Sequence, residues 1–173
     1  MIMRPGHQQL LLPVSPVFIW SSLLAALLLD MLPLGRLVWT PDFLALAIVF
    51  WGVHQPARLG MVAAFVFGLL MDVHQSAMLG QHALSYTTLG YFAITVHRRL
   101  LWYPVLSQAL QLLPLFALPH LIELAIRMIG GGMFPGWNLL IAPAIEAALW
   151  PLASLLLLAP QRRTPEPDAN RPL

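Results

Sequence analysis

Residues 41–91 read PDFLALAIVFWGVHQPARLGMVAAFVFGLLMDVHQSAMLGQHALSYTTLGY. Two apolar runs, 41–53 and 59–71, flank the polar turn His54-Gln55-Pro56-Ala57-Arg58. A third run starts at Leu79 and continues to Val96. None alternates polar and apolar residues as a half-buried strand does, so the stretch reads as helix. The first two runs have only 13 residues each, about 20 Å of helix against a hydrocarbon thickness of about 30 Å. They are read as short, tilted spans that thin the bilayer, because the turn between them is polar enough to reach water; a re-entrant hairpin buried in protein is the alternative.

Outward from this stretch the same pattern repeats. Apolar runs cover 16–32, 79–96, 100–129 and 139–158, giving an all-α integral membrane bundle of about six transmembrane helices over residues 1–159. Pro104, Pro114 and Pro119 fall within the fifth run, which membrane helices tolerate when neighbours satisfy the freed carbonyls. Residues 160–173 are Pro-rich and charged and read as a disordered cytoplasmic tail. The first run ends in Asp30-Met31-Leu32-Pro33 with no small-residue cleavage site, so it reads as a retained span rather than a signal peptide. Composition agrees: 59% of residues are hydrophobic, 9% are charged and mean hydropathy is +0.77, too few charges to cover a soluble domain of this length. Lysine and cysteine are absent. This excludes disulfides, thiolate metal sites and a thiol nucleophile. No solvated basic face exists for nucleic acid.

Arginine placement orients the bundle. With both termini cytoplasmic, the inner segments hold Arg4, Arg58, Arg98, Arg99, Arg162, Arg163 and Arg171, and the outer ones only Arg36 and Arg127. Trp39 and Trp137 then fall near the outer boundary, and Trp51 and Trp102-Tyr103 near the inner one, as interface anchors; Trp20 and Trp150 read as packing.

Five acids lie in or beside the apolar runs, all in the outer half: Asp30, Asp42, Asp72, Glu123 and Glu146. Gly60, Ala64, Gly68 and Asp72 recur every four residues and form one helical stripe, and Ser22, Ala26 and Asp30 repeat the pattern in the first run. Small residues at this spacing let another helix approach closely, either a partner's or one within the bundle. His120, Glu123 and Arg127 share a face of the fifth run, with Glu146 at comparable depth on the sixth; the set reads as a polar lock between the last two helices or as a proton relay. Gln108 and Gln111 are expected to bond between helices. Asp72, His74 and His82 make only a loose trio, short of a metal site. No nucleophile motif, phosphate loop or H-E-x-x-H occurs, so no enzyme, cofactor or metal is expected.

The 41–91 stretch also carries a resemblance. Pro41, the aromatic pair Phe50-Trp51, the turn proline Pro56, the helix Gly60-Ala64-Phe65-Gly68-Leu69-Asp72, and Leu79-Gly80-His82-Ala83-Leu84 reproduce a pattern of proline, aromatic pair, proline turn, GxxxAFxxGLxxD and LGxHAL. In this it resembles the MreD family of rod shape-determining proteins. The resemblance implies a non-enzymatic part of the cell-elongation complex in the bacterial inner membrane, supporting lateral peptidoglycan synthesis. It implies as partners an MreC-like bitopic protein, an MreB-like filament, and RodA and penicillin-binding wall synthases, besides membrane lipid. That family is distantly like the six-span substrate-binding subunits of energy-coupling vitamin transporters, which supplies the alternative of a small-molecule-binding membrane subunit. Those subunits dock through an alanine-xxx-alanine pair in the first span. Here Ala25 and Ala26 are followed four residues on by Leu29 and Asp30, and the pair is missing.

Overall fold

The computed structural model describes residues 14–32, 40–134 and 136–161. Among them the chain is all helical, with six α-helices: α1 (Pro16–Met31), α2 (Phe43–His54), α3 (Met61–Gln75), α4 (Gln81–Leu100), α5 (Val105–Ile129) and α6 (Ile141–Leu158). A 3-10 turn, Trp137–Leu140, leads into α6, and another, Ala159–Gln161, follows it. Gln161, within the stretch read from sequence as tail, is buried and its amide donates to the Leu157 carbonyl at 3.0 Å. Residues 162–173 lie outside the described ones, as do Arg4, Arg36 and Trp39.

Local chemistry sets the helix starts. Ser15 caps α1 through Phe18 N–H, with Pro16 in the first turn, where a missing N–H costs nothing. Asp42 caps α2 by accepting the Ala45 N–H at 2.7 Å. Gly80, at φ +99°, turns the chain into α4, a conformation that favours glycine. Pro104 stands at the cap of α5 rather than inside a continuous span from residue 100; a turn at 101–104 separates α4 from α5. Pro114 and Pro119 are within α5.

Helix α2 is the axis of the molecule. Every residue from Leu44 to Val53 is buried, the expected fate of a helix that is apolar all round. α1, α4 and α6 pack around it, α3 packs mainly on α4, and α5 packs on both α4 and α6. With 12 residues α2 is about 18 Å long. Trp51 is not an interface anchor: it is fully buried, its ring edge-on to Phe18 and Phe50, and its Nε1–H donates to Ser22 Oγ at 2.8 Å. Trp102, Tyr103 and Trp137 are exposed, as anchors need to be. Trp150 of α6 is buried against Phe50 of α2 and Phe116 of α5 and donates to Gln108 Oε1 at 3.0 Å. Gln111 is exposed.

Outward-facing surfaces are mostly apolar: Val62, Phe65, Val66 and Val73 on α3, Leu106 and Leu110 on α5, Leu155 and Leu156 on α6. Two helical segments, Val105–Ile129 and Trp137–Gln161, are long and apolar enough to cross a membrane by themselves. α4 has the length, and it hides its hydroxyls: Ser85, Thr87, Thr88 and Thr95 each donate to the carbonyl four residues back.

Candidate functional site

The buried and half-buried carboxylates gather with His82 at one end of the bundle, where α1, α3 and α5 finish and α2, α4 and α6 begin, whereas the buried Gln108, Ser154 and Gln161 lie toward the other. The first two hairpins, α1–α2 and α3–α4, each place an aspartate there. Asp30, near the end of α1, accepts the N–H groups of Phe43 at 3.0 Å and Leu44 at 2.7 Å, the first turn of α2. Asp72, near the end of α3, does the same for α4. Its Oδ2 accepts from Gly80 N at 2.8 Å and Ala83 N at 3.4 Å; its Oδ1 accepts from His82 N at 2.7 Å and from His82 Nδ1–H at 2.9 Å. A helix start offers unpaired N–H groups and a positive dipole end, so a carboxylate is well placed there even away from water.

The small-residue stripes lead to these aspartates. Ser22 receives Trp51 of α2, Ala26 is buried, and Asp30 closes the stripe on the α2 terminus. On α3, Ala64, Gly68 and Asp72 are buried against α4, while Gly60 has open space around it. The approach at Gly68 is the tightest: a Cβ there would lie 2.4 Å from Ala83 Cα and 2.6 Å from Ala83 N. Within the chain, then, the first stripe faces α2, and the α3 stripe, apart from Gly60, is covered by α4. Two facing small positions on α4 had not been singled out in the sequence: Gly90 lies against Ala64, and Ala93 against Gly52. The i, i+3 spacing of Gly90 and Ala93 was the available signal.

Asp42 joins the two helix starts. Besides capping α2, its Oδ2 accepts the Tyr86 hydroxyl of α4 at 2.5 Å, and its own N–H donates to Glu146 Oε1 of α6 at 3.0 Å. The same Oε1 meets His120 Nε2 of α5 at 3.0 Å. Glu123, one turn further along α5, faces His82 Nε2 at 3.8 Å. His120, Glu123 and Glu146 thus come together, but through partners on other helices. Arg127 is exposed and forms no ion pair among the described residues, its stem lying against Gly132. A long arginine near a helix end can keep its charge hydrated without an intramembrane partner. Tyr86 was not anticipated; it lies one helical turn from His82, on the same face. His74 is exposed and apart from the network. At the opposite end lie Arg98 and Arg99, both exposed, and Arg58, whose guanidinium donates to the Val14 carbonyl at 2.5 Å.

Chemically, the site is a set of helix-end clamps made of carboxylates, two histidines and a tyrosine. Comparison with known proteins identifies the family of the chain. Residues 12–159 match the family described as rod shape-determining protein MreD. A curated relative, the rod shape-determining protein MreD of Haemophilus influenzae, is 24% identical over 135 residues, covering 76% of this chain and 81% of its own. No solved structure matches the chain. The match takes in all six helices and both clamped helix starts, and this chain belongs to the MreD family of rod shape-determining membrane proteins.

Proposed function

We propose that this chain is a non-enzymatic scaffold of the bacterial cell-elongation complex, supporting lateral peptidoglycan synthesis from the inner membrane. The observation that carries this reading is the use made of the buried acids. Asp30, Asp42, Asp72 and Glu146 each accept a backbone N–H at or beside the start of α2 or α4, an arrangement suited to holding a shape. His120, Glu123 and Glu146 act as a polar lock that fixes α5 and α6 to the rest of the bundle. Partners are an MreC-like bitopic protein, an MreB-like filament and RodA-type and penicillin-binding synthases. The α3 stripe contributes to partner contact indirectly: Ala64, Gly68 and Asp72 seat α3 on α4, so that α3 presents Val62, Phe65, Val66 and Val73 outward to lipid or to a partner helix. Six spans with both termini cytoplasmic fit the arginine bias. The transporter-subunit alternative is not favoured, because the match over residues 12–159 is to the shape-determining family.

Two measurements test this. Depleting the protein in a rod-shaped host is expected to give round cells; persistence of rods through depletion refutes the role. For orientation, a single cysteine at Arg58, in a chain with no natural cysteine, is expected to react with an impermeant thiol reagent only from the cytoplasmic side. Labelling from outside would overturn the six-span arrangement.

A further inference from the structure

One atom in the polar network stands out. Glu146 Oε1 is doubly bonded into the network, but its second oxygen, Oε2, is sealed from solvent and has no hydrogen-bond partner, on a residue with no exposed surface. A lone ionised oxygen in that position is costly, whereas a neutral carbonyl oxygen is far less so. The adjoining His120 spans the boundary of the buried region. Its Nε2 faces Glu146, 13% of its side chain is accessible, and its Nδ1 makes no hydrogen bond among the described residues.

We propose that His120 and Glu146 together bind one exchangeable proton, admitted at His120 Nδ1, and that this proton holds α6 against the start of α2. A proton added at Nδ1 makes the ring an imidazolium. The Nε2 proton then passes to Glu146 Oε1, leaving a neutral ring protonated at Nδ1 and a carboxylic acid. The acid's O–H donates to Nε2, Oε1 still accepts the Asp42 N–H, and Oε2 is left as a neutral carbonyl oxygen. Loss of the proton from Nδ1, with return of the acid's proton from Oε1 to Nε2, restores a neutral ring and a buried carboxylate with one unpaired oxygen beside other carboxylates. Facing the pair are Asp42 from α2 and Tyr86 from α4, with Asp30 of α1 beyond them; on the α5 side are Glu123 and, through it, His82 of α4 and Asp72 of α3. Arg127 points away from this group and, among the described residues, no arginine bonds within the network, so a proton is the positive charge available to it. The inference stands apart from the shape-determining role and is read spectroscopically.

The test is infrared difference spectroscopy across pH on the full chain in lipid nanodiscs, with isotopically labelled glutamate. The chain has only three glutamates, Glu123, Glu146 and Glu166. Apart from any bands of Glu123 and Glu166, one labelled carboxylic-acid C=O band, at the high frequency of a carbonyl with no hydrogen-bond partner, is expected to appear and vanish reversibly with pH. It should be absent in Glu146→Gln and retained in Glu123→Gln. In His120→Gln its midpoint should move by about one pH unit or more. Survival of this high-frequency band in Glu146→Gln, or its absence from the wild type, overturns the proposal. The wild-type measurement decides even where a variant does not fold.

Discussion

Gly68→Ala is expected to destabilise the bundle by about 3 kcal/mol, the upper end of the usual overpacking cost. The added methyl would sit 2.4 Å from Ala83 Cα and 2.7 Å from the His82 carbonyl carbon. These are backbone atoms of the first turn of α4, and no rotamer change relieves such a contact. The helices must separate, which pulls Asp72 away from the N–H groups it accepts one turn further along α3. Lipid adds no compensating hydrophobic drive, since close packing is what holds membrane helices together. Gly60→Ala is the matched control on the same stripe. It lies at the start of α3 with nothing within 4 Å of the added carbon, and is expected to stay within about 0.5 kcal/mol of the parent. Thermal unfolding in detergent of the two variants side by side measures the difference. Equal midpoints for Gly68→Ala and Gly60→Ala would show that the α3–α4 approach is looser than described. The same pair, tested for rescue of rod growth after depletion, connects this packing to function.

The difference between these two glycines illustrates what a sequence reveals of such a chain. Helix positions were legible because lipid demands long apolar runs, and the runs stand out between polar turns. The stripe from Gly60 to Asp72 was legible as a close-approach surface, because four-residue spacing puts those positions on one face. Which helix it faces was not legible, since a partner's helix and α4 present the same chemistry to a glycine. Trp51 shows the same limit. A tryptophan near the end of an apolar run reads as an interface anchor, but the run Leu44–Val53 has no polar face at all, and that pattern marks the central helix. The acids were recognisable as costly wherever they sat; their partners were not. Spacing along α5 pairs Glu123 with Arg127, whereas the fold turns Glu123 toward His82 and leaves Arg127 in the open. Local spacing proposes a bond, and tertiary neighbours that cannot reach water take precedence. Pro104 erred in the other direction: inside a long run it read as a tolerated kink, yet it begins a new helix, which its fixed φ and missing N–H suit well.

The second large effect concerns Asp72. Asp72→Ala should cost about 4 kcal/mol, because it strands several buried donors at once. The carboxylate serves Gly80 N, His82 N, Ala83 N and His82 Nδ1, and both it and His82 are almost wholly buried. No water replaces it inside the bundle. Asp72→Asn keeps one acceptor oxygen but turns an NH2 group toward backbone N–H groups, so roughly 2 kcal/mol is expected. The loss should be local before it is global. In hydrogen exchange of the detergent-solubilised protein, the amides of Gly80, His82 and Ala83 are expected to lose protection first. Those of Phe43 and Leu44, held by Asp30 in the equivalent place, should keep theirs. Asp30→Ala should produce the reverse pattern. Uniform loss along both helices would mean that the two hairpins unfold as one unit and that the clamps are not separate. Unchanged protection at Gly80, His82 and Ala83 would mean that Asp72 does not hold the start of α4 at all. The matched design of the two hairpins makes this contrast informative: a small-residue stripe sets the spacing, and the aspartate at its end fixes the register of the next helix. A surface that must stay fixed while other membrane proteins assemble on it needs both.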